Sequence, residues 1–356
     1  MAETKIEWTA TEQPDGTRLP GYTFNHVIGC TKVAAGCRFC YAEAFSKRTG
    51  KAVWGPAGTR IKTSPSYWHQ PLKWNAEARK AGARRAVFCA SLADVFEDWP
   101  GNILSHERDK ETGDNTVLWW RDDIGTCRAG QTTLGKLRGE RLAKMSDLRA
   151  ELFELIDQTP WLLWLVLTKR PENILSMLPD LNYYRVNLMF GTSIAEQKDA
   201  DRNIEPLLEA KKYAAGVFLS CEPLVESVKL PSSCLPIIDW VIVGGESGHG
   251  ARPMHPAWAQ SLMRQCEGGI PFFFKQNGEY TSVKPGSEFW AKKSNALKWG
   301  TLDRSGKWFP ATTPWNGVTG DESETGEVVL YQVGKKAAGN ELFGKAYQEL
   351  PRQMPV

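Results

Sequence analysis

Six short apolar runs, most of them followed by a helix-like stretch, set what this chain can become. They are Ala86–Leu92 (AVFCASL), Leu162–Thr168 (LLWLVLT), Asn187–Ser193 (NLMFGTS), Val217–Cys221 (VFLSC), Trp240–Gly244 (WVIVG) and Pro271–Lys275 (PFFFK). All are short, rich in Val, Leu and Phe, and continuous rather than alternating, the pattern of strands buried on both faces. Between them lie helical patterns. In Ser146–Gln158, Leu148, Leu152, Leu155 and Ile156 follow the i, i+3, i+4 rule behind Ser146 as N-cap, and Pro171–Leu178 and Ala195–Lys211 read the same way. Strands alternating with helices imply a mostly parallel sheet with right-handed crossovers. With one more strand before Cys30, the expectation is an α/β fold, a partial (β/α) barrel of about six or seven mostly parallel strands.

Two regions break this rhythm and set the expected boundaries. Residues 1–277 hold the barrel, with an insertion at about 99–139, where Trp99–Gly139 is expected to begin as a helix and continue as an inserted loop or lid. From Gly278 onward Gly, Trp, Lys and Thr dominate, and Lys307–Pro310 and Val328–Val333 read as short strands. Residues 278–356 are therefore expected to form a small β-rich C-terminal appendage.

A length of 356 residues, a hydrophobic fraction of 42% and a charged fraction of 24% fit a globular protein. The N-terminal segment has no apolar core of a signal peptide, and no apolar run approaches the roughly 20 residues of a membrane span. A cytoplasmic address is expected, where eight cysteines argue for metal or redox chemistry over disulfides. The net charge of +3 permits a nucleic-acid partner without demanding one.

Cys30, Cys37 and Cys40 sit together in CTKVAAGCRFC, while Cys89, Cys127, Cys221, Cys234 and Cys266 are scattered singly. A structural zinc site closes its shell with four protein ligands, usually as two separated pairs, and no second CxxC is present. Three thiolates suit an iron–sulfur cluster that keeps one iron open. His26, four residues before Cys30, keeps a Cys3His zinc site available as the rival.

In a parallel α/β sheet, ligands collect at the carboxyl ends of the strands. Polar groups stand at each such end: Ser91 and Asp94; Thr168, Lys169 and Arg170; Thr192, Ser193 and Glu196; Glu222; Gly244, Gly245, Glu246 and Ser247; Lys275 and Gln276. Each alone reads equally well as a cap or turn; the succession points to a pocket. The Gly244–Gly248 run can leave a nest of backbone amides, yet it is neither a GxGxxG fingerprint nor a Walker loop. Lys169 and Arg170 place two cations where a helix begins, suiting a phosphate or carboxylate. No GxSxG elbow, HExxH helix or paired carboxylates occur, and His249 and His255 flank Arg252 in a loop at the expected pocket mouth.

These segments together resemble the phage Gp37/Gp68-like family (domain of unknown function 5131). KIEWT, GCTKVAAGCRFCYAE, SLADVFED, LTKRPENI, GTSIAEQ, LSCEPL, VIVGGESG, PFFFKQNGE and VGKKAAGNELFG occur in the family's order through nearly the whole chain. The chain departs in Ala10–Tyr22, which lengthens the link between KIEWT and the cysteines, and in a longer Trp99–Gly139 stretch. That family in turn resembles radical S-adenosylmethionine (SAM) enzymes, which bind a 4Fe–4S cluster through CxxxCxxC with an aromatic residue before the last cysteine. Here Cys37-Arg38-Phe39-Cys40 keeps the second half, but six residues rather than three separate Cys30 from Cys37.

The second resemblance implies a cluster held by Cys30, Cys37 and Cys40, with SAM as cofactor, cleaved to a 5′-deoxyadenosyl radical after one electron from a donor. It places Phe39 near the adenine, Ser91 and Asp94 at the SAM amino group, Ser193 and Glu196 at the ribose and Gly244–Glu246 along the adenine side. Thr168, Lys169 and Glu222 complete the expected cofactor-binding set, and Cys221 is the candidate hydrogen-atom donor. The implied substrate is nucleic acid, by analogy with radical-SAM lyases that repair thymine dimers in DNA. The competing expectation is a zinc-stabilised, non-catalytic DNA-binding module.

Overall fold

The architecture is that of a computed structural model describing residues 3–13, 15–50, 52, 54–121, 126–130, 140–282, 298–311 and 326–351, with 126–130 as backbone alone. Parts of the expected insertion (122–125 and 131–139) and of the expected C-terminal appendage (283–297, 312–325 and 352–356) lie outside the described residues.

Seven strands form one curled, all-parallel sheet, a half-barrel: β1 (Tyr22–Phe24), β2 (Arg85–Cys89), β3 (Leu162–Thr168), β4 (Arg185–Ser193), β5 (Ala214–Cys221), β6 (Trp240–Gly244) and β7 (Phe272–Gln276). Neighbours in space are neighbours in sequence, and every pairing is parallel. All carboxyl ends therefore point to one rim, which makes that rim a place for ligands.

Helices cover the outer face. α1 (Tyr41–Thr49) and α2 (Gln70–Ala81) lie between β1 and β2, and α3 (Met145–Asp157) leads into β3. The short α4 (Ile174–Met177), then α5 (Gln197–Ala210) and α6 (Pro256–Cys266), fill three later crossovers, and the β5–β6 link holds turns only. Leu148, Leu152, Leu155 and Ile156 of α3 are buried, as their spacing requires. Its cap differs from expectation: Ser146 falls inside the first turn, and the Asp147 carboxylate accepts the Lys144 N–H at 2.8 Å. A carboxylate three positions in reaches back to an unpaired donor that a serine already inside the helix cannot reach.

Both faces of the sheet are apolar, which explains the unbroken hydrophobic runs. The outer core joins Val87, Val166, Phe190, Leu219 and Val243 to helix residues such as Leu152, Leu207 and Leu262. The inner, concave face carries Phe88, Leu165, Met189, Phe218, Trp240, Ile242 and Phe273, and Trp8 of the N-terminal segment plugs it. Trp8 meets Phe88 at 4.7 Å and Trp240 at 6.0 Å between ring centroids, both edge-on. Gly191 leaves room for this layer, since a Cβ there would come within 2.2 Å of the Phe218 ring.

The insertion is a second sheet. The helix expected from Trp99 is replaced by strands Ile103–Arg108, Asn115–Arg121, Thr126–Gly130 and Glu140–Leu142, which join Val27–Ile28 and Arg60–Lys62. Ile103 and Ser105 are buried on either side of half-buried Leu104, a period of two. Val27, Ile103, Leu118, Trp120, Ala143, Met145 and Leu148 give this sheet a core of its own. The β-rich C-terminal region is an antiparallel sheet of Tyr280–Thr281, Val328–Gln332, Trp299–Leu302 and Trp308–Pro310, in that order. Its Leu302, Val328 and Leu330 pack into the barrel's outer core. No helix among the described residues is long and apolar enough to cross a membrane.

Candidate functional site

The segment bearing the three cysteines lies across the carboxyl-end rim. It leaves β1 through Val27–Ile28 and is tied down over strand after strand. Gly29 N–H donates to the Leu92 carbonyl beyond β2, and Thr31 N–H to Glu97. Arg170, just past β3, donates to the Thr31 carbonyl at 2.8 Å and to the Cys30 Sγ at 3.8 Å. Gly36 packs so closely on Ala195 and Pro223, past β4 and β5, that a Cβ there would lie 3.2 and 3.4 Å from them. Arg252, past β6, donates to the Ala35 carbonyl, and Tyr41 donates its hydroxyl to the Ser91 carbonyl. Cys37 is buried in the short 3-10 turn Ala35–Cys37, whereas Cys40 is half-buried at the N-cap of α1.

Beneath Cys30 lies a buried ionic network. Arg60 grips Glu97 with two bonds of 2.6 and 2.7 Å and stacks on Trp99 at 3.9 Å. Arg170 bridges Glu97 and Asp94. Asp94 accepts from Phe96 N–H, the Thr168 hydroxyl, Lys169 N–H and Arg170. Burial together with the nearby Asp94 and Glu97 carboxylates pushes the Cys30 thiol up to about 12, against the opposing pull of Arg170. The same carboxylates raise the pKa of Arg170 despite its burial.

The inner face places a polar layer between the Trp8 plug and the cysteine segment. Strand alternation turns Lys169, Ser193, Glu222 and Lys275 to the same side as Leu165, Met189, Phe218 and Phe273. Lys169 donates to Ser193 at 2.7 Å, and Lys275 pairs with Glu222. The second carboxylate oxygen of Glu222 is buried without a hydrogen-bond partner among the described residues, and Gly244 is the small neighbour that makes room for it. A buried carboxylate oxygen aimed into a polar layer is an acceptor for a ligand donor.

Several expected site residues are spent elsewhere. Asp94 and Thr168 belong to the ionic network, so all four lone-pair positions of Asp94 are taken by the protein. Ser91 exchanges hydrogen bonds with Asn25. Arg170 is turned inward, so Lys169 and Arg170 do not form the anion site expected at a helix start. Glu246 is held by three bonds from Arg252, and Gly245 packs where a Cβ would lie 2.2 Å from the Asn277 carbonyl oxygen; these residues shape the turn. Glu196 sits half-exposed before α5 beside Lys32. Phe39 packs against Gly250 at the rim. His255 is a capping residue, accepting the Ala257 N–H.

Cys221 is fully buried in the outer core with Leu224, Trp258 and Cys266, and burial raises its pKa. Alternation along β5 sends this expected hydrogen-atom donor toward the helices and away from the polar layer of the inner face. His26 is fully buried with neither ring nitrogen partnered among the described residues, and its pKa falls to about 3 through burial and nearby Arg149. Among the described residues no three His, Cys, Asp or Glu side chains are grouped to hold a metal ion, so neither Cys30, Cys37 and Cys40 alone nor a Cys3His set with His26 is gathered around one point.

Residues 3–105 and 142–351 match a family described as Protein of unknown function (DUF5131). The chain belongs to the DUF5131 family. The match passes over residues 106–141, whose described strands belong to the second sheet, and takes in the cysteine segment and all seven strands of the half-barrel. No curated protein and no solved structure matches this DUF5131 chain. Sequence reasoning missed Trp8, Arg60, Glu97 and Tyr41 as parts of the site, and gave Lys275 no role beyond its strand end. Trp8, Glu97, Lys275 and Tyr41 stand in KIEWT, SLADVFED, PFFFKQNGE and GCTKVAAGCRFCYAE, whereas Arg60 lies in none of these motifs.

Proposed function

We propose that this DUF5131 protein is a radical SAM-type enzyme acting on nucleic acid. The observation that carries the reading is the position of the cysteine segment, laid over the carboxyl ends of a seven-strand parallel half-barrel and directly following its first strand. Bound by Cys30, Cys37 and Cys40, a 4Fe–4S cluster would supply the electron that cleaves the sulfonium of SAM.

The chain's own residues would do the rest. The Arg170 guanidinium beside Cys30 opposes the rise that burial, Asp94 and Glu97 impose on this thiol, and the Asp94–Arg170–Glu97–Arg60 network fixes the start of the loop. Glu222, with one oxygen unpartnered among the described residues, is the acceptor suited to the ammonium of an amino acid. Lys169 and Ser193 offer donors to a carboxylate or ribose. Trp8 and the aromatic plug close the inner face from below and keep water out. A separate electron donor completes the scheme.

The test is to reduce the reconstituted chain anaerobically, add SAM and measure 5′-deoxyadenosine by chromatography. Formation of the nucleoside, lost in Glu222→Ala, is expected. A chain that carries iron and sulfide yet leaves SAM intact rules the enzyme class out.

A further inference from the structure

The C-terminal sheet turns one face toward the rim of the half-barrel, and part of that face has no role in the site above. Tyr280 pairs with Gln332, and Leu302 pairs with both Val328 and Trp308. Strand alternation therefore puts Tyr280, Lys298, Leu302, Trp308 and Gln332 on a common side. Leu302, Val328 and Leu330 bury one part of this face in the barrel core. The rest opens into a cleft of about 450 Å³, closed opposite by Val225 and the loop 249–253.

The cleft has an aromatic wall. Trp308 lies across Gly300, where a Cβ would come within 2.7 Å of the indole, and Tyr280 meets Trp308 edge-on at 5.6 Å. The rim carboxylates are spent: Glu279 accepts Gly248 N–H, Glu246 is held by Arg252, and Asp303 takes the Ser305 hydroxyl and Lys307 N–H. Lys298 and His249 are exposed, and neither their side chains nor the Gln332 amide find a partner among the described residues. A flat π surface, an unpaired cation and an amide with both donor and acceptor match the face, phosphate and edge of a nucleotide.

We propose that this cleft holds one nucleotide of a single-stranded nucleic acid. Its base would stack on Trp308 and Tyr280, its edge meet Gln332, and its phosphate lie at Lys298 and His249. The inference rests on the nucleic-acid substrate proposed above and locates where that strand is gripped. Gly250, in the same loop as His249, packs on Phe39 next to Cys40, so a strand in the cleft passes beside the cysteine segment.

The experiment is fluorescence anisotropy of the full chain with a fluorescein-labelled oligothymidylate of about 12 nucleotides, within the span that stacking platforms cover. Trp308→Ala is expected to weaken binding about tenfold or more, with Trp308→Phe retaining most of it. Lys298→Ala, at an exposed position that leaves the fold intact, should weaken binding several-fold and reduce the slope against log salt by about one. Failure of the wild-type chain to bind at low salt, or wild-type binding by both Trp308→Ala and Lys298→Ala, overturns the proposal. SAM cleavage is measured on the same preparations. Cleavage without these binding effects removes the cleft and spares the enzyme class; the binding effects without cleavage do the reverse.

Discussion

Arg170 reaches the Cys30 sulfur at 3.8 Å with the same Nη1 that lies 2.8 Å from the Asp94 carboxylate. One guanidinium thus joins the proposed ligand loop to the interior of the half-barrel. Asp94, expected from sequence to face a cofactor, instead holds the residue that holds the loop. Asp94→Ala should therefore cost stability, about 3–5 kcal/mol in urea unfolding, because it removes the nearer of the two carboxylates paired with the buried Arg170 and leaves the other donors to Asp94 unmatched. A residue that merely touched SAM would leave the unfolding midpoint unchanged.

His26 gives the fold an acid limit. Its folded pKa is lowered to about 3 by burial and by Arg149 and Lys62, with Asp94 opposing, while the unfolded imidazole keeps its ordinary 6.5. Between these values the unfolded chain binds the extra proton, so stability present above pH 6.5 is lost as the pH falls toward 3. The slope is about 1.4 kcal/mol per pH unit within that window. Denaturant unfolding at pH 7 and 5 should show this difference in the wild type and lose that share of it in His26→Leu.

Trp8 is 4% exposed and packs on Phe88 and Trp240. Trp8→Ala would open a cavity under the polar layer, at a cost of about 3–5 kcal/mol. Calorimetry should show a clearly lowered Tm, whereas Trp8→Phe should recover most of it.

Cys221 separates two accounts of the thiols. Its side chain faces the helix layer, so Cys221→Ala should leave SAM cleavage within about twofold of wild type and cost about 1 kcal/mol for the small cavity. Loss of cleavage without loss of stability would show that the thiol takes part after all.

The half-barrel was legible because each strand is a run of apolar residues buried on both faces, as in LLWLVLT and WVIVG. That same property hid which way each side chain points: alternation puts Phe218 and Cys221 on opposite faces, but nothing in VFLSC says that Phe218 is on the inner one. The ionic network was not legible either. Arg60, Glu97 and Arg170 come from distant segments, and charge partners so far apart leave no spacing to read. The insertion concealed its strands behind Trp, Arg and His: Trp120 is buried against a core supplied by Val27 and Leu148 from elsewhere in the chain, while His106 and Arg108 stay exposed.

The central claim is that Cys30, Cys37 and Cys40 hold an iron–sulfur cluster with an open position over the rim. Iron, sulfide and zinc should be quantified in the anaerobically reconstituted chain and in Cys37→Ala. The account predicts about four iron and four sulfide per chain in the wild type, with brown colour, and near-complete loss of both in the variant. One bound zinc and no sulfide, or iron and sulfide retained fully in Cys37→Ala, would contradict it.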